Sequence, residues 1–274
     1  PGAKVFKADM PQVAIEDIRR HHIDYAISEM KRLIAFLTEA TGRRLDEDRL
    51  RETVVLSDRA CELWDEIMAF RRCIPTPIAA SDIGIMFVMV TRQGTQNAVG
   101  SLTKVRDELK ERAARGAGVI ENERVRLFWD NIPLWYNMGI FNYFEKQGGV
   151  VVAETYSAAW SLRLDTGNPL EALALKTLMS YPLVSCVSIK KRKEMVLKAC
   201  RDYAIDGTIL HRNRSCVPIT LGQMDIKREL EAIGVPSLII DADHMDGRNF
   251  PMAQFQTRAD AFMEMLLHKK GFSL

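Results

Sequence analysis

The chain has 274 residues, of which 47% are hydrophobic and 27% charged, and its formal net charge is +2. These are ordinary globular values, and so small a net charge indicates no general affinity for nucleic acid. No apolar run approaches the ~20 residues that cross a bilayer, and the N-terminal stretch "PGAKVFKADMPQ" lacks a signal-peptide pattern. The sequence therefore predicts a cytoplasmic protein that contacts neither nucleic acid nor membrane.

The first part of the chain has the apolar spacing of helices. The stretch "AIEDIRRHHIDYAISEMKRLIAFLTEATG" carries apolar residues on one helical face, and Gly42 suits its C-terminal end. A second helix, "DEDRLRETVVLSDRACELWDEIMAFRRC", has Asp46 as its N-cap and is ended by Pro75 and Pro77. A further helix is predicted near residues 96–114. We therefore expect residues 1–117 to form a helical domain.

After residue 118 the pattern changes to short, apolar runs rich in β-branched residues. Such runs are typical of buried strands, and helical stretches separate them. Alternating strands and helices predict an α/β domain over residues 118–274, with an open, mostly parallel four-stranded sheet flanked by helices. The predicted strands are "RVRLFWDNI", "GVVVAETY", "DGTILHRN" and "PSLIIDAD", and the predicted helices lie near 134–147, 187–203, 222–233 and 252–268.

In such sheets, ligands bind beyond the carboxyl ends of the strands. The segments that follow the four predicted strands are "DNIPLWYN", "ETYSAAW", "HRNRSC" and "DADHMDGRNF". Cys216 lies in the third of these segments. The sequence therefore places this cysteine at the predicted functional edge of the sheet.

The five cysteines form no CxxC pair, which argues against a disulfide framework and a self-contained zinc site. The chain also lacks GxGxxG, GxxxxGK[ST], GxSxG and HExxH motifs. Arg212 and Arg214 favour the thiolate form of Cys216. A thiolate can be the nucleophile in acyl transfer, with His211 or His244 as the base, and it can also bind iron. The other cysteines are predicted to be apolar fillers of packed helices: Cys61, Cys73, Cys186 and Cys200.

The C-terminal stretch "DGTILHRNRSCVPITLGQMDIKRELEAIGVPSLIIDADHMDGRNFPMAQFQTRADAFMEML" closely resembles the 2-hydroxyacyl-CoA dehydratase and benzoyl-CoA reductase family. It combines H-x4-C after a strand, GQ at the start of a helix, D-x-D-x-x-D-x-R after the next strand and TR-x-x-AF-x-E in the last helix. Two earlier stretches, "RLIAFLTEATGRRLDEDRLRETV" and "IPLWYNMGIFNYFEKQGGVVVAETY", resemble preceding parts of the same subunits. The resemblance thus covers nearly the whole chain.

This resemblance implies radical chemistry on an acyl-CoA thioester. Subunits of the family pair with a homologous second subunit, each holds an iron–sulfur cluster, and an ATP-hydrolysing iron–sulfur activator protein supplies single electrons. Cys216 matches one of three cysteine ligands of a [4Fe-4S] cluster. Family subunits begin with another α/β domain that supplies the other two, whereas this chain begins at Pro1. We therefore expect a fragment whose remaining cluster ligands lie outside the chain.

The resemblance favours an (R)-2-hydroxyacyl-CoA dehydratase subunit, with an aromatic ring reductase subunit or a non-catalytic truncated partner as alternatives. Most of the assigned residues also have a structural alternative. The histidine could bond only to backbone, the arginines could be surface cations, the serine could cap a helix, and the tryptophan could belong to the core. The predicted catalytic residues are His211 and Ser215, and the predicted substrate-binding residues are Arg212, Asn213, Arg214, Gln223 and Trp135.

Overall fold

The computed structural model describes residues 4–158, 160–179 and 188–272. Two predicted helix ends are confirmed in its helical first part. Gly42 adopts a left-handed φ of 69° and closes the first helix, and the Asp46 carboxylate accepts a hydrogen bond from the backbone N–H of Arg49 at 3.0 Å. The helices here are α1 (Arg20–Thr41), α2 (Glu47–Ala69), α3 (Met86–Arg92) and α4 (Gln96–Ala114), with 3-10 turns at Ile15–Asp17, Phe70–Arg72 and Ala80–Ile85.

The helices share a core to which a later segment contributes. Residues of α2, including Trp64, pack with residues of α3 and α4. A helix absent from the prediction, α7 (Pro169–Met179), packs against α1 through Ala174 and against α2 through Ala172. The helical core therefore draws on both sides of the predicted boundary near residue 117, and that boundary stays a prediction.

The second half contains a four-stranded parallel sheet, as predicted. Its order is β2-β1-β3-β4, and every neighbouring pair is parallel. The two central strands, β1 and β3, are flanked on both sides, whereas β2 and β4 are the edges. The strands are β1 (Val125–Asp130), β2 (Gly149–Glu154), β3 (Gly207–Asn213) and β4 (Ser237–Ala242).

Helices cover both faces of the sheet because successive side chains of a strand point to opposite sides. On β1, Leu127 and Trp129 pack into one apolar cluster, while Phe128 packs into the other. The first cluster includes residues of α5 (Ile140–Glu145) and α11 (Met252–Lys269), and the second includes residues of α8 (Ile189–Asp202) and α10 (Gln223–Ala232). Two single-turn helices follow these strands: α6 (Thr155–Ala158) comes directly after β2, and α9 (Val217–Thr220) begins four residues after the end of β3.

The helix predicted near 134–147 begins later than expected, at Ile140. Before it, Pro133 and a turn leave the chain as a loop, in which the backbone N–H of Trp135 donates to the carbonyl of His244 at 2.9 Å. A tertiary bond thus replaces the predicted helical one. Cys186 lies outside the described residues. Within the described ranges, no helix is both long and apolar enough to cross a bilayer.

Candidate functional site

The loops that follow the four strands meet at the carboxyl edge of the sheet. Asn131, directly after β1, donates its backbone N–H to the hydroxyl of Thr155 after β2 at 2.7 Å. Its side-chain amide donates to the carbonyl of His211 on β3 at 2.9 Å. The Trp135 bond to His244 adds the loop after β4. The segments singled out from the sequence therefore form one continuous polar edge.

Asp130, at the end of β1, is the centre of a buried polar network. It is fully buried and accepts hydrogen bonds from the guanidinium of Arg192 at 2.6 Å, the amide of Gln223 at 2.8 Å and the hydroxyl of Thr155 at 3.1 Å. The Gln223 amide nitrogen also donates to the carbonyl of His211 at 2.9 Å. Both of its hydrogens are thus used inside the protein, which gives Gln223 a structural role. Substrate binding by Gln223 stays a prediction.

The His211 ring lies beneath the edge, with no exposed surface. Its Nδ1 is 2.7 Å from the carbonyl oxygen of Ile132, and its Nε2 is 3.2 Å from that of Ala242. Burial lowers the pKa of His211, because the charged imidazolium is poorly solvated there, although both carbonyls act in the opposite direction. The ring therefore braces two loops, as the structural alternative proposed, and its catalytic role stays a prediction.

Ser215 belongs to a small polar cluster at the surface of the edge. Its hydroxyl lies 2.9 Å from Nδ1 of His244 and 3.2 Å from the side-chain oxygen of Asn213, which is buried. The same imidazole nitrogen contacts the Asn213 amide group. Among the described residues, no hydrogen bond joins the Cys216 thiol to His211 or His244, so the geometry lends no support to a cysteine hydrolase.

Arg212 and Arg214 point to solvent beside this cluster. Arg214 forms a hydrogen-bonded ion pair with Asp241, and Arg212 lies 3.9 Å from the second oxygen of the same carboxylate. Both guanidiniums are about half exposed or more, at 68% and 48%. They line an open cavity of about 470 Å³ together with Asn213, Val217, Thr220, Leu221 and Asp241. Two cations beside an open cavity can bind an anionic ligand.

Cys216 lies immediately before α9 and is half-buried. Its carbonyl accepts a hydrogen bond from the Thr220 hydroxyl at 3.3 Å. Within the described part of the chain, no group of three or more His, Cys, Asp or Glu side chains could hold a metal ion. Metal binding by Cys216 therefore stays a prediction.

Two other cysteines behave as the predicted apolar fillers. Cys61 and Cys200 are buried in helices, with 0% and 5% of their surface exposed. Burial raises the pKa of both thiols, that of Cys200 to about 12. A thiol so reluctant to ionise is a poor ligand for iron. Cys73 lies at the end of a 3-10 turn and is half-buried.

Trp135 turns towards the helical part of the protein. Its ring lies 5.9 Å from that of Phe87 and 5.5 Å from that of Tyr156. Packing of this kind agrees with the core alternative, and the predicted contact with substrate remains a prediction. A more enclosed cavity of about 280 Å³ lies between α2, the end of β2 and α8, and Trp135 is not among its lining residues.

Sequence reasoning singled out the segments that contain Asp130, Asn131 and Thr155 but gave these residues no role, and it missed Arg192. The signal for the first three is a polar group at the end of an otherwise apolar strand. Arg192 carried no such signal, because a basic residue in a helix beginning "IKKRK" has the appearance of a solvated surface cation. Its complete burial could not be inferred without the fold.

The protein is an α/β protein with an open parallel sheet, and the carboxyl edge, where such sheets bind ligands, carries a half-buried cysteine, two exposed arginines and an open cavity. The profile of 2-hydroxyglutaryl-CoA dehydratase, D-component, matches residues 3–266. The chain belongs to this family.

Named relatives cover both branches that the resemblance implied. The chain is 26% identical to the (R)-phenyllactyl-CoA dehydratase alpha subunit of Clostridium sporogenes, over 96% of this chain and 64% of the relative. It is 28% identical to a benzoyl-CoA reductase subunit of Thauera aromatica, over 93% and 62%. It is 25% identical to the alpha subunit of (R)-2-hydroxyglutaryl-CoA dehydratase of Acidaminococcus fermentans, over 94% and 54%. The chain thus spans about half to two thirds of the length of these relatives.

Proposed function

We propose that this chain is the part of an (R)-2-hydroxyacyl-CoA dehydratase subunit in which Cys216 binds a [4Fe-4S] cluster. The observation that carries the proposal is the position of Cys216. Cys216 is half-buried at the carboxyl edge of a parallel sheet, and in sequence it lies between Arg214 and Val217, which line the open cavity together with Arg212. The other thiolate ligands would come from protein outside this chain. Membership of the dehydratase family supports the assignment.

The difficulty of the reaction explains why such a group is needed. The β-hydrogen of a saturated acyl chain is far less acidic than any side-chain base can match, because burial shifts a side-chain pKa by only about 3–5 units. A bound cluster would supply a single electron to the thioester carbonyl, after which the 2-hydroxyl group can leave and the β-hydrogen becomes acidic. The hydroxyl group and the β-proton would leave together as water and the electron would be recovered, so ATP-driven reduction would be needed to start turnover and not for each one.

The residues of the chain would then bind and orient the substrate. Arg212 and Arg214 would take the anionic phosphates of coenzyme A, since both guanidiniums face the open cavity. Ser215 would offer its hydroxyl at the rim, where His244 holds it at 2.9 Å. His211 would support the same edge from below through its contacts with two loops. Each of these roles is part of the proposal.

The proposal also includes two protein partners: a homologous second subunit and an ATP-hydrolysing iron–sulfur activator. The names of the dehydratase relatives describe alpha subunits, which supports the first partner. The second follows from the need for low-potential electrons. Co-purification of the native protein under anaerobic conditions should recover the second subunit.

Iron content of the complete, anaerobically purified protein tests the cysteine assignment. Replacing Cys216 with serine should lower bound iron sharply, because thiolate binds iron and an alcohol does so poorly. The matched control is Cys61→Ser, which removes a buried thiol of the helical core and should leave bound iron unchanged. Equal iron in the two variants would refute the assignment.

A turnover assay separates this function from its alternatives. The complete enzyme receives an (R)-2-hydroxyacyl-CoA, the activator and ATP without oxygen. Enoyl-CoA in excess over ATP consumed is the expected result. ATP consumed in fixed proportion to a reduced aromatic product would assign the chain to the reductase branch. The 28% identity to a benzoyl-CoA reductase subunit is the observation that supports this alternative. Binding to the partner without iron or turnover would indicate a non-catalytic subunit.

A further inference from the structure

The segment between β3 and α10, residues 214–222, contains Cys216, and a buried guanidinium joins it to Asp130 at the end of β1. We propose that Arg192 is a positioning residue that ties this segment to Asp130 and thereby fixes the place of the Cys216 thiol. The tether is defined by geometry alone. The claim that the tether positions a metal ligand rests on the proposed function, and the experiments below test the tether and the proposed function separately.

Arg192 reaches three acceptors from one side chain. Its Nη2 donates to the Asp130 carboxylate at 2.6 Å, and its Nη1 donates to the carbonyl of Leu221 at 3.0 Å and to that of Ile219. The side chains of both ion-pair partners are fully buried. The Arg192 guanidinium therefore connects the end of β1 to the last turn of α9, only a few residues beyond Cys216.

The carbonyls that Arg192 binds need such a partner. A helix leaves its last carbonyl groups without partners inside the helix, and α9 is a single turn. A buried carbonyl without a donor is destabilising, because it has lost its water partner and gained none. The planar guanidinium offers donors in several directions at once, whereas a lysine ammonium is a point charge on a flexible stem. An arginine thus satisfies the end of α9 and the Asp130 carboxylate together.

The opposite end of the segment is held by the hydroxyl of Thr220. Its oxygen lies 3.2 Å from the backbone nitrogen and the carbonyl of Asn213, and 3.3 Å from the carbonyl of Cys216 and the amide nitrogen of Asn131. These bonds fold the segment back on itself. Because Arg192 then attaches its second half to β1, the position of Cys216 depends on a bond made by a different helix.

The close approach of α8 to the segment supports this dependence. Gly222 has a left-handed φ of 76°, and a Cβ there would lie 2.8 Å from Cγ2 of Ile189, at the start of α8. The backbone of the segment thus packs directly against the helix that carries Arg192. Movement of α8 would therefore shift both the Arg192 tether and the contact between Ile189 and Gly222.

Hydrogen exchange in the complete protein tests the tether without any metal. Arg192→Gln should speed exchange of the backbone amides within residues 216–222, where every residue but Pro218 has one, about tenfold or more, because loss of a hydrogen-bonded buried charge favours local opening. The matched control is Arg126→Gln. Arg126 is also buried and binds the carbonyls of Tyr203, Cys73 and Arg71, but it lies near the amino end of β1. That variant should leave exchange at 216–222 unchanged.

A conservative variant keeps the test decisive if Arg192→Gln does not fold. Arg192→Lys retains a positive charge near Asp130 but cannot reproduce the fork, so exchange at 216–222 should lie between wild type and the glutamine variant. Wild-type exchange in both Arg192 variants, or in the lysine variant alone if the other is unfolded, would overturn the tether. Equal acceleration at 216–222 in the Arg126 control would also overturn it, because the effect would then be global.

A second readout connects the tether to Cys216. If Cys216 binds iron, Arg192→Lys should change the electron paramagnetic resonance signal of the reduced cluster or lower iron occupancy, while Arg126→Gln should do neither. Faster exchange with an unchanged signal and full iron would refute the role of Arg192 in placing the thiol but would leave the tether itself intact. Loss of iron in Arg192→Lys with no change in exchange would refute the tether. If even the Cys216→Ser variant keeps its iron, the proposed function fails, and the exchange result still decides the tether.

Discussion

A buried ion pair joins the helical part of the chain to the sheet and allows a quantitative test. The guanidinium of Arg71, in the turn after α2, lies 2.6 Å from the carboxylate of Glu154 at the end of β2, and their side chains are 3% and 0% exposed. Removing either charge leaves the other unpaired in the protein interior, which solvates a charge poorly. We expect Glu154→Leu or Arg71→Met to lower the free energy of unfolding by about 3–5 kcal/mol.

The double variant is the more informative one. Nε of Arg71 and Oε1 of Glu154 have no hydrogen-bond partner among the described residues, so the pair is incompletely compensated. Replacing both with apolar residues of similar size removes that cost, and only the carbonyl of Ala79, which Arg71 also binds, loses a donor. The double variant Arg71→Met/Glu154→Leu should therefore lose about 1–3 kcal/mol of stability relative to wild type, which is a smaller loss than that of either single variant.

Urea unfolding of the complete protein, followed by circular dichroism at fixed pH and salt, measures these differences. Arg163→Met is the control, because the Arg163 guanidinium pairs with Asp58 while 52% exposed, and such pairs are worth about 0–1 kcal/mol. A double variant whose loss equals the sum of the two single losses would show that the two charges act independently. That outcome would refute the reasoning.

Two further predictions use matched controls within the chain. Gly222→Ala should destabilise the protein by more than Gly234→Ala in the same urea assay. Both glycines have a φ of 76°, which costs a non-glycine residue about 1–2 kcal/mol, but only at Gly222 would the new Cβ meet another side chain. Burial lowers the pKa of His211 in the folded protein, whereas in the unfolded chain the histidine keeps its ordinary pKa of about 6.5. Below that pH the unfolded chain binds more protons than the folded protein does, so the free energy of unfolding should fall as the pH drops from 7 to 5. His211→Gln should reduce that slope and the exposed His268→Gln should not; equal slopes would contradict the assignment.

The parts of the fold that were predictable are those specified by local sequence. Apolar runs located the four strands, and the caps at Gly42 and Asp46 follow from the residues themselves. The α7 helix was missed because "PLEALALKTLM" is apolar on most sides and shows little periodicity. It has that composition because it packs between other helices, and such tertiary packing cannot be read from the local sequence. The loop at 134–139 likewise depends on the bond from Trp135 to His244.

The candidate site was predictable in outline, since strand ends of a parallel sheet lie together whatever their residues. The roles within it were not. Whether His211 is buried or exposed depends on the loops above it, and the partnership of Arg192 with Asp130 joins residues 62 positions apart. A single sequence states which residues are present but not which distant ones meet. The inward-facing polar residues were for that reason the ones overlooked.

The strand order has a consequence for how the chain is made. β1 lies between β2 and β3, and Leu127 pairs with Gly207. During synthesis, β1 and β2 leave the ribosome long before β3 exists, so one edge of β1 stays unpaired while most of the connecting chain is still being added. Both strands are buried along their entire length in the finished protein. At roughly 5–20 residues per second, the nascent chain therefore exposes the unpaired backbone N–H and C=O groups of one β1 edge, together with apolar side chains, for several seconds, and its yield in a cell depends on protection from aggregation during that time.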